Sequence, residues 1–341
     1  MKTINRLVEK YREQIMKLEN VIGVGSGHKE IKGHSTDEKS IIILVKEKLD
    51  EDELGRRHII PEKIEEVTTD VIEVGEIELL TSKGNLNRTK RNRPAQPGIS
   101  IGHYKISAGT FGAVVKDKET KKLLILSNNH VLANLTSGHD DRAEIGDPIL
   151  QPGRHDGGEE ENDIIGHLER FVPLKKKSST SSCQIANGVE NILNGISELI
   201  KFPYQIKFLR RMSEANLVDC AVAKPVSEDL IKSDILELGR IEGTVKPEIG
   251  VEVIKSGRTS GVTTAKIRVI NATVEVNVTA TEKATFKNQI ITGALSKPGD
   301  SGSLVLNKDN KAVGLLFAGS NMSTICNPIN HVMEELEIEF I

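Results

Sequence analysis

Short apolar runs along the chain are punctuated by glycine, asparagine and aspartate, a pattern that predicts a β-rich fold. The first element departs from it. Ile4, Leu7, Val8, Tyr11, Ile15 and Leu18 recur at helical spacing and predict an amphipathic helix. Val21-Ile-Gly-Val-Gly-Ser-Gly-His28 then reads as a strand. Its glycines stand as Gly23-x-Gly25-x-Gly27, without the spacing or βαβ context of a dinucleotide fingerprint, so a hairpin or bulged strand is the better reading. Ile41-Ile-Ile-Leu-Val-Lys46 predicts a buried strand, Pro61-Glu-Lys-Ile-Glu-Glu66 a short helix start, and residues 69–74 another strand. Residues 1–82 are therefore expected to form a small α/β N-terminal domain. Residues 83–97 carry Lys83, Arg88, Lys90, Arg91 and Arg93 with no acid among them, and read as a solvated basic linker. An exposed processing site is the alternative.

From residue 98 the pattern turns to strands. Residues 109–116 and 123–127 predict a hairpin, and 146–153 and 164–168 extend it toward a first barrel. Six further runs, at 251–255, 263–269, 272–278, 289–292, 302–306 and 312–317, suffice for a second. Between the two, Ile185, Val189, Ile192, Leu193, Ile196, Leu199 and Ile200 follow a helical stripe. Gly188 and Gly195 weaken it by roughly 1 kcal/mol each, and a helical insertion over 183–212 is expected. Residues 328–336 predict a C-terminal helix. The fold class that follows is mostly β: two six-stranded antiparallel barrels over 98–341, with one helical insertion.

Composition removes several functions. With 46 basic and 49 acidic residues, no global field favours nucleic acid or a membrane. Tryptophan is absent, which removes a stacking platform for single strands. The first dozen residues are charged and lack an apolar core, so no signal peptide is expected. Cys183, Cys220 and Cys326 make an odd count without metal-ligand spacing; free thiols in a cytoplasmic protein are the expectation. His139, Asp140, Asp141, His155 and Asp156 scatter through polar turns and read as solvated loop, so neither metal nor cofactor is expected.

Candidate chemistry centres on Lys297-Pro-Gly-Asp-Ser-Gly-Ser-Leu-Val305. A serine between glycines can present its hydroxyl on a tight turn, with backbone N–H groups facing whatever it attacks. The hydroxyl is a weak nucleophile and needs a base and an orienting group. His130, in Leu126-Ser-Asn-Asn-His-Val-Leu-Ala133, supplies the first. Asp219 is expected to supply the second, because Ala221 and Ala223 on its own strand face leave room for an imidazole; Asp163, before Ile164-Ile-Gly166, is the competing carboxylate.

His, Asp, Ser is the chain order of the trypsin/chymotrypsin-like serine peptidases, which the chain resembles at these residues. More narrowly it is similar to the bacterial, intracellular-type trypsin-like proteins related to the plant NARROW LEAF 1 proteins. That resemblance is carried by Ser100-Ile-Gly-His103, Ala108-Gly-Thr-Phe-Gly112, the His130 motif, Gln151-Pro-Gly153, Val218-Asp-Cys-Ala221 and Gly257-Arg-Thr-Ser-Gly261, across residues 95–335. It implies a serine endopeptidase acting on a protein or peptide substrate, with His130, Asp219 and Ser301 catalytic and the N–H groups of Gly299 and Ser301 forming the oxyanion hole. Leu295 falls by offset at the base of the primary pocket and favours an uncharged residue there. Phe317, Ala318 and Gly319 fall on the strand that pairs with substrate. Asp300 braces the turn with a partner the sequence does not name. Two rival readings remain: a catalytically inactive scaffold that binds a regulatory protein partner, and nucleic-acid binding through the basic stretch. The N-terminal domain, lacking a convergent nucleophile, base or metal set, is expected to restrain the protease, or else to aid folding or hold a partner.

Overall fold

The computed structural model describes residues 2–31, 34–49, 58–79, 88–106, 108–180, 194, 209–211 and 214–341. The helix Lys2–Ile15 lays its apolar stripe on β1 (Val21–Ile31) and β2 (His34–Val45), so that Ile4, Leu7, Val8 and Ile15 meet Val24, Ile41 and Ile43. The opposite face of β2, with Ile42 and Leu44, joins a second cluster. Both faces of this strand are covered, which is why residues 41–45 form an unbroken apolar run instead of an alternation. A hairpin of β3 (Lys63–Ile64) and β4 (Val67–Glu73) stands where a helix start was expected. The turn between them holds Glu65 at φ 52°, and Lys10 and Tyr11 of the helix bind its carboxylate. The strand β5 (Glu78–Leu79) follows.

The first barrel comprises β6 (Ser100–His103), β7 (Gly109–Thr110), β8 (Ala113–Asp117), β9 (Leu123–Ser127), β10 (Pro148–Leu150) and β11 (Ile164–Phe171). After the small β12 (Ser178–Thr180) and β13 (Leu209–Arg211) pair, β14 (Ala221–Pro225) completes it between β9 and β11. The barrel curls shut where Phe111 N donates to Ile99 O (2.9 Å) and Gly112 N to Leu126 O (2.9 Å). Most of the expected helical insertion over 183–212, and residues 83–87 of the basic stretch, lie outside the described residues.

In the second barrel, β15 (Glu252–Gly257), β16 (Gly261–Asn277), β17 (Lys283–Gly293), β18 (Leu304–Asn307), β19 (Ala312–Gly319) and β20 (Ser323–Pro328) run in the order β15-β18-β19-β20-β17-β16, closed by β15 on β16. The helix Ile329–Glu335 and β21 (Ile338–Phe340) return the chain to β8 of the first barrel. Two expected strands, 263–269 and 272–278, are one: β16 passes through Asn271 at φ 53° with shifts of register and no break in pairing. Its outer flank takes β1, Gly23 opposite Val274 and Gly27 opposite Val269. A Cβ at Gly25 would lie 2.6 Å from the Val269 side chain and 3.1 Å from Ala272 Cα, so this glycine serves close strand approach. The N-terminal sheet and the second barrel thus share a core of Ile42, Leu44, Ile72, Val74, Ile77, Val269, Val274, Phe286 and Phe317. A further cluster, built from β8, β9, β18, β19 and the C-terminal helix, fills the seam between the barrels. No helix among the described residues is long and apolar enough to cross a membrane.

Candidate active site

Strand β9 ends at Ser127, and the chain turns into the short helix Asn129–Leu132 that carries His130. His130 Nδ1 lies 2.6 Å from Asp219 Oδ2, and the His130 backbone N–H donates to Asp219 Oδ1 at 3.2 Å. An ionised carboxylate only accepts, so Nδ1 carries the proton and Nε2 is left as the basic nitrogen. Nε2 is buried and has no hydrogen-bond partner among the described residues. Asp219 is fully buried two residues before β14, and its backbone is clamped from both barrels. Its carbonyl accepts from Asn128 Nδ2 (2.8 Å) and Asn327 Nδ2 (3.1 Å), and its N–H donates to Asn327 Oδ1 (3.2 Å). The competing carboxylate, Asp163, instead accepts from Arg91 Nε (3.0 Å) and the Glu159 N–H (3.0 Å).

Across the seam stands the turn Gly299-Asp300-Ser301-Gly302, with φ of 98° at Gly299 and 93° at Gly302. Thr110 of the first barrel holds it twice, donating from its N–H to Ser301 O (2.7 Å) and from Oγ1 to Gly299 O (2.9 Å). A Cβ at Gly302 would fall 2.1 Å from Ser127 Oγ and 2.3 Å from Thr110 O, so only glycine fits this left-handed position. A Cβ at Gly109 would likewise meet Val131 at 2.4 Å and Ser301 O at 3.0 Å, which sets the serine turn beside the residue that follows His130. Ser301 itself has no exposed surface, and its Oγ donates to the Phe317 carbonyl at 3.1 Å.

Asp300 has the partner that the sequence left unnamed. Its carboxylate accepts from the N–H groups of Thr259 (2.9 Å), Ser260 (3.0 Å) and Lys297 (2.9 Å) and from Ser260 Oγ. Lys255 Nζ lies 3.2 Å from Asp300 Oδ2, and neither side chain has any exposed surface. Burial pushes the Lys255 ammonium below its ordinary pKa, and Asp300 opposes that shift. Lys255 also donates to Ser260 Oγ (2.6 Å) and Gly261 O (2.9 Å). A second buried cation, Arg258, binds Asp156 through Nε (2.8 Å) and Nη2. The expectation that Asp156 is solvated is therefore corrected; an invading arginine from the second barrel gives its carboxylate a charged partner. His139, Asp140, Asp141 and His155 share no site with it, and Asp140 accepts from Thr136 (2.6 Å) and Ser137 (3.1 Å) within its own turn.

No family model matches the chain, and no curated protein matches it in sequence. Among solved structures it is similar to a chymotrypsin of Cellulomonas bogoriensis, at 16% identity over 72% of this chain and 99% of that one, with a TM-score of 0.43. It is also similar to protease A of Thermobifida fusca, at 15% identity over 72% and 99% of the two chains (TM-score 0.45), and to a Nocardiopsis protease, at 14% identity over 72% and 98% (TM-score 0.42).

The remaining expected positions lie on the second barrel. Leu295 is buried in its core with Val253, Ile267 and Leu316, and its N–H donates to Thr324 Oγ1 (3.1 Å). Phe317, Ala318 and Gly319 close β19, and the Phe317 ring packs on Phe286 with centroids 4.7 Å apart. Among the described cations of the basic stretch, three have internal partners. Arg88 is buried against Gly98 O and Ser256 Oγ, Arg91 binds Asp163, and Arg93 binds Gln151. Sequence reasoning missed Lys255, although a signal existed: it shares a strand face with Val251 and Val253, where a lysine has no solvent to reach.

Proposed function

We propose that this chain is a serine endopeptidase, cleaving peptide bonds through a His130, Asp219 and Ser301 triad. The observation that carries the reading is the 2.6 Å His130–Asp219 pair, set across the seam from the Gly-Asp-Ser-Gly turn. His130 Nε2 takes the Ser301 proton as Oγ bonds to the substrate carbonyl carbon, forming a tetrahedral oxyanion. The same proton passes to the leaving amine as the C–N bond breaks, leaving an acyl-serine that water hydrolyses by the reverse sequence. Asp219 fixes the tautomer and stabilises the imidazolium. The N–H groups of Gly299 and Ser301 are the proposed oxyanion donors, and loss of one such donor costs about 3–4 kcal/mol in turnover. Ser301 Oγ must first turn from the Phe317 carbonyl toward Nε2. Leu295 favours an uncharged residue at the cleaved position, and Phe317, Ala318 and Gly319 are the substrate-pairing strand.

The motifs around Ser100, Ala108 and Gly257 support the narrower kinship with the bacterial proteins related to NARROW LEAF 1. Cys220 and Cys326 are buried free thiols, which supports a cytoplasmic setting. Burial raises both thiols above their ordinary pKa, so neither competes as a nucleophile. The domain reading places 1–82 as an α/β unit ahead of the protease.

The buried, carbonyl-bonded Ser301 hydroxyl favours one second reading, a protease-like scaffold without activity. Fluorophosphonate labelling separates the two. The endopeptidase labels at Ser301 and cuts protein substrates at sites readable by mass spectrometry, and Ser301→Ala does neither. A purified Ser301→Ala protein that still hydrolyses peptides, or an intact chain that never labels, overturns the proposal.

A further inference from the structure

Strand β18 covers the flank of β19 only as far as Leu315, which pairs with Leu304. Beyond that point the edge is taken by β5, with Ala318 opposite Leu79 and Gly319 opposite Glu78 in antiparallel register. These are the residues at which a peptide substrate is expected to add as a strand, next to the carbonyl that holds Ser301 Oγ. The direction also fits. From Glu78 to Leu79 the chain advances from Gly319 toward Phe317, and so toward Ser301, as the acyl half of a bound substrate would.

The segment leading into β5 is anchored by its own core contacts. Val74 and Ile77 are buried with Phe317 and Ala318, Val74 O accepts from Ser320 Oγ (2.6 Å), and Ile77 O accepts from Asn277 N (3.0 Å). On its other side β5 pairs in parallel with β16, Glu78 beside Asn277. The strand is therefore wedged between β16 and β19, and Ser301, whose Oγ bonds the Phe317 carbonyl of β19, is fully buried.

We propose that β5 is an internal occupant of the substrate-accepting edge, so that a peptide engages Phe317–Gly319 only by displacing residues 78–79 of the same chain. This rests on the endopeptidase reading of the site and adds its first partner, an extended segment of the protein itself. A tethered strand competes at a millimolar-scale local concentration, so free peptides bind in proportion to the small fraction of molecules whose edge is open.

The test uses a fluorescent peptide copying residues 74–81 and the full chain carrying Ser301→Ala, with and without Leu79→Pro. Proline removes a ladder donor and breaks the internal pairing while leaving Val74 and Ile77 in place. The expected result is binding at least about tenfold tighter to the Leu79→Pro protein. Equal affinity overturns the proposal, whether both proteins bind or neither does. Hydrogen exchange on the unmodified chain supplies an independent reading: amides of residues 78–79 should exchange as slowly as those of β19, and exchange at the rate of a free peptide overturns it. Turnover is read separately on Leu79→Pro with Ser301 intact. Tight peptide binding without hydrolysis or labelling leaves the strand assignment standing and removes the endopeptidase reading alone.

Discussion

Replacing Lys255 by methionine isolates the ion pair beneath the serine turn. Methionine nearly matches the buried stem of lysine, so the change removes charge and two hydrogen bonds with little change of volume. Asp300 would then be a fully buried carboxylate with four remaining donors and no counter-ion. Breaking a buried pair from one side costs about 3–5 kcal/mol. The surviving donors place Lys255→Met near the lower end, about 3 kcal/mol. The same change is expected to loosen the turn bearing Gly299 and Ser301, the proposed oxyanion donors, and a misplaced donor lowers turnover by roughly 10²-fold. Urea denaturation of wild type, Lys255→Met, Asp300→Asn and the double variant measures the first effect, and fluorophosphonate labelling of the folded fraction the second. In the double variant the two costs should fall short of their sum by more than about 1 kcal/mol, because neither charge is then stranded. A Lys255→Met protein within about 1 kcal/mol of wild type, or strictly additive costs, would refute the assignment of Lys255 as the anchor of the turn.

Asp219→Asn should keep the fold and lower turnover by about 10⁴-fold through the wrong imidazole tautomer, with Asp163→Asn close to wild type; the reverse ranking in peptide hydrolysis would move the orienting role to Asp163. His103 is buried 2.9 Å from Asp147, and burial holds its pKa below the ordinary value despite that carboxylate. The unfolded chain therefore binds the proton more tightly, so stability is full above about pH 6.5 and falls as pH drops below it. Urea midpoints at about pH 8 and pH 5.5 should show this loss, and His103→Gln should flatten it. A chain beginning at Pro94 should lose cooperative unfolding, since it strips Ile42, Leu44, Ile72 and Ile77 from the core that holds Phe317; a stable, monodisperse truncation with a sharp thermal transition would contradict this.

The residues of the proposed site were legible as candidates because each sits in a local motif: His130 after an apolar strand, Ser301 in a glycine turn, Asp219 beside small residues. What was illegible depends on contacts from elsewhere in the chain. Lys255 and Asp300 are 45 positions apart, and the β15–β18 pairing brings the strand of Lys255 beside the turn that precedes β18. β20 escaped notice because Ser323-Thr-Ile-Cys-Asn-Pro328 mixes polar and apolar positions, yet β17 and β19 enclose it and all six residues are buried. Residues 61–66 read as a helix start on proline and glutamate alone, and pairing with β4 overrode that local preference. The basic stretch read as solvated on charge density, whereas Arg88 is drawn inward by Gly98 O and by Ser256 of the second barrel, with Glu237 of the connecting segment on its outer side.

The pairing of β1 with β16 also sets a timetable for biosynthesis. Gly23 meets Val274, so the ribosome must add roughly 250 residues after β1 before its partner strand exists. At about 5–20 residues per second, that is a wait of roughly 12–50 s. During it the helix and β2 can cover one face and one edge of β1, while the other edge and the glycine-lined approach to Val269 stay open to any extended chain nearby. The nascent protein thus carries an unsatisfied sheet edge through most of its synthesis, and its first eighty residues are the part with most need of a chaperone.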